Sequence, residues 1–329
     1  MYARRSTGLP GQLHRRTGEA MGSSPSSLSR TKQWFQPQLA LEKLEAAFAL
    51  DESDARVFLE LDQLYKKLNR TPQERLAVYE KHTDIIMDRD DLLIEYITLL
   101  NSTGQYEKAH EVTMGHVFRP WEGAEGKITA QYKVSLREMA RKKLAKQDAS
   151  GARELLEQAL RAPQSLGEGH LEGTKDNDLH YWLGEALEQL GEEEAAKEQY
   201  SLSLIGNNEP AGMMYYYDQP ADMILYQGLA WMKMGKVREA NACFYKLIDY
   251  GERHLRDQVR IDYFAVSLPD FLIFEDDLNV RNEAHCYYLM GLGKLGLGKK
   301  EEAAADLEKV IERDPGHQNG ILYAQMAEM

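Results

Sequence analysis

The stretch most open to a chemical reading is Met290-Gly291-Leu-Gly293-Lys-Leu-Gly296-Leu-Gly298-Lys299-Lys300. Gly291, Gly293 and Gly296 reproduce the G-x-G-x-x-G spacing that wraps a backbone turn around a pyrophosphate, and Lys299 and Lys300 follow as cations. That chemistry needs a strand ahead of the first glycine and a helix opening directly after it, so that free N–H groups meet the phosphate. Neither is present. Ala284, Tyr287, Tyr288 and Gly291 fall at i, i+3, i+4 and i+7, which is helix spacing, and the turn signal comes only at Gly298-Lys299-Lys300. A second helix then runs through Ala303, Leu307 and Val310 and stops at Asp314-Pro315. The glycines therefore sit in a helical hairpin. Glu122-Gly-Ala-Glu-Gly126-Lys127 fails as a phosphate loop too, because the segment is acidic and lacks the G-x-x-x-x-G-K-[ST] spacing.

Other chemistries find less support. The nine histidines form no H-E-x-x-H or H-x₃-H pair, and adjacent His285 and Cys286 point apart on a helix. Cys243 and Cys286 lack C-x-x-C spacing, so no metal site is assigned, and two isolated thiols fit a reducing, cytoplasmic compartment. No Ser/His/Asp arrangement emerges, so no catalytic residue and no cofactor are assigned, and an enzyme is the less favoured class.

Four segments instead mix aromatics with carboxylates and amides. The first holds Phe118, Trp121, Glu122 and Lys127, and the second reads Gly167-Glu168-Gly-His-Leu-Glu-Gly-Thr-Lys-Asp-Asn-Asp178. The third carries Tyr215, Tyr216, Tyr217, Asp218 and Gln219; the fourth, Arg260, Asp262, Tyr263, Phe264, Phe271, Phe274 and Glu275. Stacking and charge-assisted hydrogen bonds from such residues suit a polar peptide or a carbohydrate. The plainer alternative is that the aromatics fold back over helix ends, which fits the apolar run of Phe264, Phe271 and Phe274 best.

What positions these segments is an internal repeat. Ala109, Ala152, Ala196, Ala240 and Ala303 stand in equivalent settings. Five residues before each lie Gly104, Gln147, Gly191, Gly235 and Gly298; twelve before lie Ile97, Ala140, Gly184, Gly228 and Gly291. Four residues after come Thr113, Leu156, Tyr200, Phe244 and Leu307, mostly bulky. Small residues let two helices approach, a glycine permits the turn between them, and the bulky residue fills the interface.

This pattern resembles the tetratricopeptide repeat, on Leu183-Gly184…Gly191…Ala196…Tyr200, Gln227-Gly228…Gly235…Ala240…Phe244 and Met290-Gly291…Gly298…Ala303…Leu307…Pro315. A degenerate copy spans Val57 to His82, and Leu39 to Asp51 looks like a second helix alone. The resemblance implies an all-α fold, a right-handed α-solenoid of about six helical hairpins, with little or no strand outside Tyr250–Asn282. It also implies a binding scaffold with a concave groove for a protein or peptide. The segments "PWEGAEGK", "LGEGHLEGTKDNDLHYWLG", "EPAGMMYYYDQPADMILYQGLA" and "VRIDYFAVSLPDFLIFEDDLNVRN" further resemble the C-terminal repeat region of large bacterial proteins that carry an N-terminal β-rich domain of unknown function. That likeness keeps a carbohydrate-binding or carbohydrate-active module as the alternative.

The repeat is longer than the family's. Anchors are separated by 43, 44, 44 and 63 residues from Ala109 to Ala303, against about 34 for the family unit. The surplus is placed between hairpins, in His116–Ile128, Pro163–Asp178, Gly206–Asp222 and Tyr250–Asn282. Insertions at one repeat position emerge along one edge. Trp121, Glu122, Glu168, Tyr216, Asp218, Arg260 and Asp262 are therefore expected to converge there as the ligand site.

Composition bounds the partners. The 329 residues carry a net charge of −13, which speaks against a general nucleic-acid binder, and no apolar run is long enough to span a membrane. Residues 1–33 hold six basic residues and one acid among Ser, Gly and Pro, without apolar periodicity. They read as a disordered basic leader ahead of a repeat domain at 34–329.

Overall fold

The computed structural model describes residues 37–119, 124–169, 174–212, 219–259 and 277–328. Its regular structure begins where the apolar period does. Pro37–Leu50 forms α1. Asp54 then caps α2 (Ala55–Lys67), its carboxylate accepting from the N–H groups of Arg56 and Val57 at 2.9 and 3.1 Å. Thr71 and Glu74 make a reciprocal capping box at the start of α3 (Pro72–Tyr79), with proline at the first helical position where no N–H is needed. A short helix α4 (Thr83–Met87) leads into five further pairs. These are α5/α6 (Asp90–Ser102, Tyr106–Met114), α7/α8 (Lys127–Ala145, Ala149–Ala159) and α9/α10 (Asn177–Gln189, Glu193–Ser203). Then come α11/α12 (Met223–Lys233, Val237–His254) and α13/α14 (Leu278–Gly296, Lys300–Arg313), with α15 (Gln318–Glu328) last. No strand occurs among the described residues. With α2/α3, there are six hairpins, as the repeat pattern predicts.

The turn inside each hairpin is set by one residue in the left-handed region. Gly104, Gly191, Gly235 and Gly298 have φ between 72° and 79°, and Gln147 takes φ 62° in the same place. Asn69, between α2 and α3, does so at φ 56°. The repeat position therefore demands this conformation even where the residue is not glycine.

Within the hairpins, the small and bulky residues meet as the spacing requires. A Cβ on Gly184 would lie 2.5 Å from the Tyr200 ring, one on Gly228 would run into Phe244, and one on Gly291 would lie 2.8 Å from Leu307. The other two glycines of the apparent dinucleotide motif serve the next interface. A Cβ on Gly293 would stand 2.5 Å from the Phe244 carbonyl oxygen, and one on Gly296 would overlap the Phe244 ring. All three are points where helices approach closely. Phe244 itself is fully buried between α11 and α13.

Two boundaries differ from the sequence reading. Helix α12 runs on to His254 and α13 starts at Leu278, so both ends of the expected Tyr250–Asn282 linker are helical. The extension is held by Asn282, whose side-chain amide donates to the His254 carbonyl at 2.8 Å. The segment 1–36, and with it the expected leader, lies outside the described residues.

The array curves with its first helices inward. α5, α7, α9, α11 and α13 each pack on the next in that series, whereas contacts between successive second helices are sparse. The curl brings the last described helix back to α5, α6 and α7. Gln318 donates to the Thr98 carbonyl of α5 at 3.2 Å and to Gln131 of α7 at 2.9 Å. Leu322 packs with Tyr106 and Val134, and the Tyr323 hydroxyl lies 3.2 Å from that of Tyr226. Helix α15 thus lies across the inner face.

Candidate functional site

Beside the N-terminal turn of α15, the inner face stays open as a cavity of about 230 Å³. Its walls come from α7 (Thr129, Ala130, Lys133, Val134, Arg137), from the start of α9 (Asp178) and of α11 (Met223), and from Gln318 and Asn319. Gly126, Gly169, Thr174 to Asp176, Pro220 and Asp222 add the ends of three successive inter-hairpin segments. The site is therefore assembled by the repeat: one position of each unit delivers one wall.

The lining is charged, and most of the charge is paired. Lys133 Nζ contacts Asp176 Oδ1 at 2.6 Å, and Arg137 Nη1 contacts Asp178 Oδ2 at 2.6 Å. Arg137 Nε also reaches Glu138 at 2.9 Å, and Glu138 holds Arg141 Nη1 at 2.6 Å, giving a buried relay of alternating charge. The Arg141 guanidinium lies 5.0 Å from the Trp182 ring. Buried charges are tolerated when paired in this way.

Asp222 is the exception among the carboxylates. It is only 4 % exposed, yet among the described residues its carboxylate has only neutral partners: its own backbone N–H, the Tyr323 hydroxyl at 3.4 Å and the Asn319 amide at 3.5 Å. No ion pair joins it to Lys133, Lys175 or Arg137 among the described residues. Burial, and then the like charge of Asp178, push its pKa up to about 6 against the pull of Arg137. A group so poorly satisfied inside a cavity is a mark of a binding site.

A second buried network, under α2, α3 and α5, is fully satisfied. Arg75 grips Asp62 with two bonds at 2.8 and 2.7 Å and Glu95 with a third at 2.6 Å, while the Tyr79 hydroxyl donates to Asp62 at 2.9 Å. Burial favours the neutral acid at Glu95, but Lys66 and Arg75 outweigh it and hold the pKa down at about 2. With every charge matched, this network holds helices together.

Of the residues expected to form the ligand site, Glu168 alone falls within the described residues. Its carboxylate accepts from Gly126 N at 2.9 Å and from the Thr129 hydroxyl at 2.7 Å, so it caps the start of α7 at the edge of the cavity. Trp121, Glu122, Tyr216, Asp218, Arg260 and Asp262 lie outside the described residues, as do Tyr263, Phe264, Phe271 and Phe274. Phe118 is buried, and its N–H donates to the Ser165 carbonyl of the next segment at 2.8 Å. The cysteines are buried free thiols, Cys286 being raised by burial to about 11. No group of three or more His, Cys, Asp or Glu side chains is placed to hold a metal ion among the described residues. No helix there is long and apolar enough to cross a membrane.

Sequence reasoning missed the cavity, although a signal existed. Asp178 and Asp222 each stand 18 residues before an anchor alanine, Ala196 and Ala240, so the repeat itself places both in the same turn of a first helix.

Six hairpins with left-handed turn residues, glycine-to-ring contacts within each pair and first helices turned inward define a helical-hairpin repeat protein. Comparison with known families narrows the kind. A tetratricopeptide repeat model matches residues 137–209 and a second model of the same repeat matches 284–317, so those two stretches are similar to tetratricopeptide repeats. The chain is also similar to the crystal structure of YrrB, described as a tetratricopeptide-repeat protein with an unusual peptide-binding site. The identity is 17 %, the match covers 76 % of this chain and 96 % of that one, and the TM-score is 0.25, too loose a likeness to place any residue.

Proposed function

We propose that the chain is a non-catalytic scaffold that binds a peptide segment of a partner protein on the inner face of the array. The observation that carries this reading is the cavity beside α15, built from three repeats and floored by a buried carboxylate without a cationic partner. The same reading includes the edge formed by the inter-hairpin segments, with Trp121, Glu122, Glu168, Tyr216, Asp218, Arg260 and Asp262 as its contact residues. The described aromatics of those segments give a carbohydrate little support: Phe118 is buried, and Tyr250 is half-buried with its ring 4.3 Å from that of His254.

The test is selection of displayed peptides on the full chain. Ala130 is exposed and lines the cavity, so Ala130→Trp fills it from the rim without disturbing the hairpin. Selected peptides are expected to bind Ala130→Trp at least tenfold more weakly, while Lys197→Glu, on the exposed side of α10, leaves binding unchanged. Failure to enrich any peptide, or equal binding by Ala130→Trp, overturns the inner-face reading. Trp121→Ala and Asp218→Asn test the edge: weaker binding at an unchanged melting temperature supports it, and unchanged binding removes those residues from the site.

A further inference from the structure

Resting on that reading, we infer that the cavity receives a basic side chain, an ammonium or guanidinium group on an aliphatic stem, with Asp222 as its counter-ion. The volume sets the scale. Pockets for drug-sized ligands or cofactors run from about 300 Å³ upward, so a cavity of about 230 Å³ suits one long side chain. A water takes roughly 30 Å³, so the space is also far larger than one bridging water needs.

Charge sets the sign. The lining offers three carboxylates, and two of them have their own cation, Asp176 in Lys133 and Asp178 in Arg137. Lys175 lines the cavity too but makes no ion pair with Asp222. The lining's cations, Lys133, Arg137 and Lys175, equal its carboxylates in number, but none forms an ion pair with Asp222. An anion entering beside Asp222 adds like charge to it, and an apolar group leaves it buried beside hydrocarbon, both unfavourable. A cation gives Asp222 a charge-assisted hydrogen bond where its side-chain partners are now two long neutral contacts, at 3.4 and 3.5 Å. The apolar part of the lining, Ala130, Val134 and Met223, then faces the aliphatic stem.

The probes are four acetylated and amidated pentapeptides, Gly-Gly-Xaa-Gly-Gly with Xaa as arginine, lysine, norleucine or glutamate, and agmatine as a free cation. Each is titrated calorimetrically into the full chain. The arginine and lysine peptides are expected to bind at least tenfold more tightly than the norleucine and glutamate peptides. Asp222→Asn, which removes only the charge, is expected to lower their affinity at least tenfold with the chain still folded by circular dichroism. Agmatine binding as tightly as the peptides assigns the site to the cationic group alone; weaker agmatine binding adds a contribution from the peptide backbone. Equal binding of the norleucine peptide, no binding of either basic peptide, or unchanged affinity in Asp222→Asn overturns the inference. Displayed peptides that depend on Ala130 but show no basic preference would leave the scaffold reading standing and remove this one.

Discussion

At the residue scale, two buried carboxylates titrate in opposite senses. Asp222, facing Asp178, Arg137, Tyr288, Tyr323 and Asn319, has its pKa raised from 3.8 to about 6. Its neutral form is the one the fold prefers, so its favourable contribution is complete below pH 3.8 and is lost as pH rises through about 6. Each unit is worth about 1.4 kcal/mol, so Asp222→Asn is expected to raise stability by up to about 3 kcal/mol at pH 7 and by little at pH 4. Urea unfolding of both proteins across that range checks it, and a pH-independent difference contradicts it. Glu95 behaves inversely. With its pKa held down at about 2 from 4.5, its contribution is complete above pH 4.5 and is lost as acid carries the protein toward pH 2. Glu95→Gln is therefore expected to be destabilising at neutral pH and to lose its effect in strong acid. The contrast separates the two networks: at Glu95 the fold gains from charge, and at Asp222 it gives up stability, as binding sites do.

At the element scale, much of the architecture was legible because hairpin packing is local. Small and bulky residues 16 apart, Gly184 with Tyr200 and Gly228 with Phe244, are visible in sequence and meet in space. Gly228→Val is accordingly expected to cost about 1–3 kcal/mol by overpacking against Phe244, read as a lowered denaturation midpoint. Gln147 gives the complementary test. A non-glycine residue in the left-handed region is unfavourable by about 1 kcal/mol or more, and Gln147 holds φ 62° where its repeat counterparts are glycine. Gln147→Gly is expected to raise the melting temperature, and a lowered one would mean that the Gln147 side chain contributes more than its backbone strain. Helix ends were less legible. The run of α12 to His254 depends on a hydrogen bond from Asn282, 28 residues away, which no local propensity reports. The cavity was hidden for the same reason, since Lys133, Arg137, Asp178 and Asp222 lie on three successive hairpins and match no motif. Only their register within the repeat links them.

At the scale of the whole molecule, α15 changes what kind of object the repeat array is. A solenoid whose units touch only their neighbours behaves as a one-dimensional chain, with stability summed over units and interfaces, and its ends fray independently. Here Gln318, Leu322, Tyr323 and Gln325 tie the last helix to α5, α6, α7 and α11, contacts spanning up to 220 residues of sequence. No repeat signal announces this helix, which is why the sequence did not show its return. The brace predicts long-range coupling. Leu322 is 2 % exposed and sits between Tyr106 and Val134, so Leu322→Ala is expected to cost about 2–4 kcal/mol, as truncation in a packed core does. The more telling readout is where protection is lost. In a nearest-neighbour array, amide exchange would quicken in α13 and α14 alone. With α15 acting as a brace, exchange should also quicken in α5 and α7, and unfolding of the wild-type chain should remain a single transition that Leu322→Ala splits in two. Faster exchange confined to α13, α14 and α15 would show that the inner-face contacts fill space without coupling α15 to α5 and α7. Because the walls of the cavity include Gln318 and Asn319, the same helix also links global closure to the site. A ligand held by the closed array should therefore restore protection in α5 and α7 of Leu322→Ala, although it touches neither Leu322 nor Tyr106.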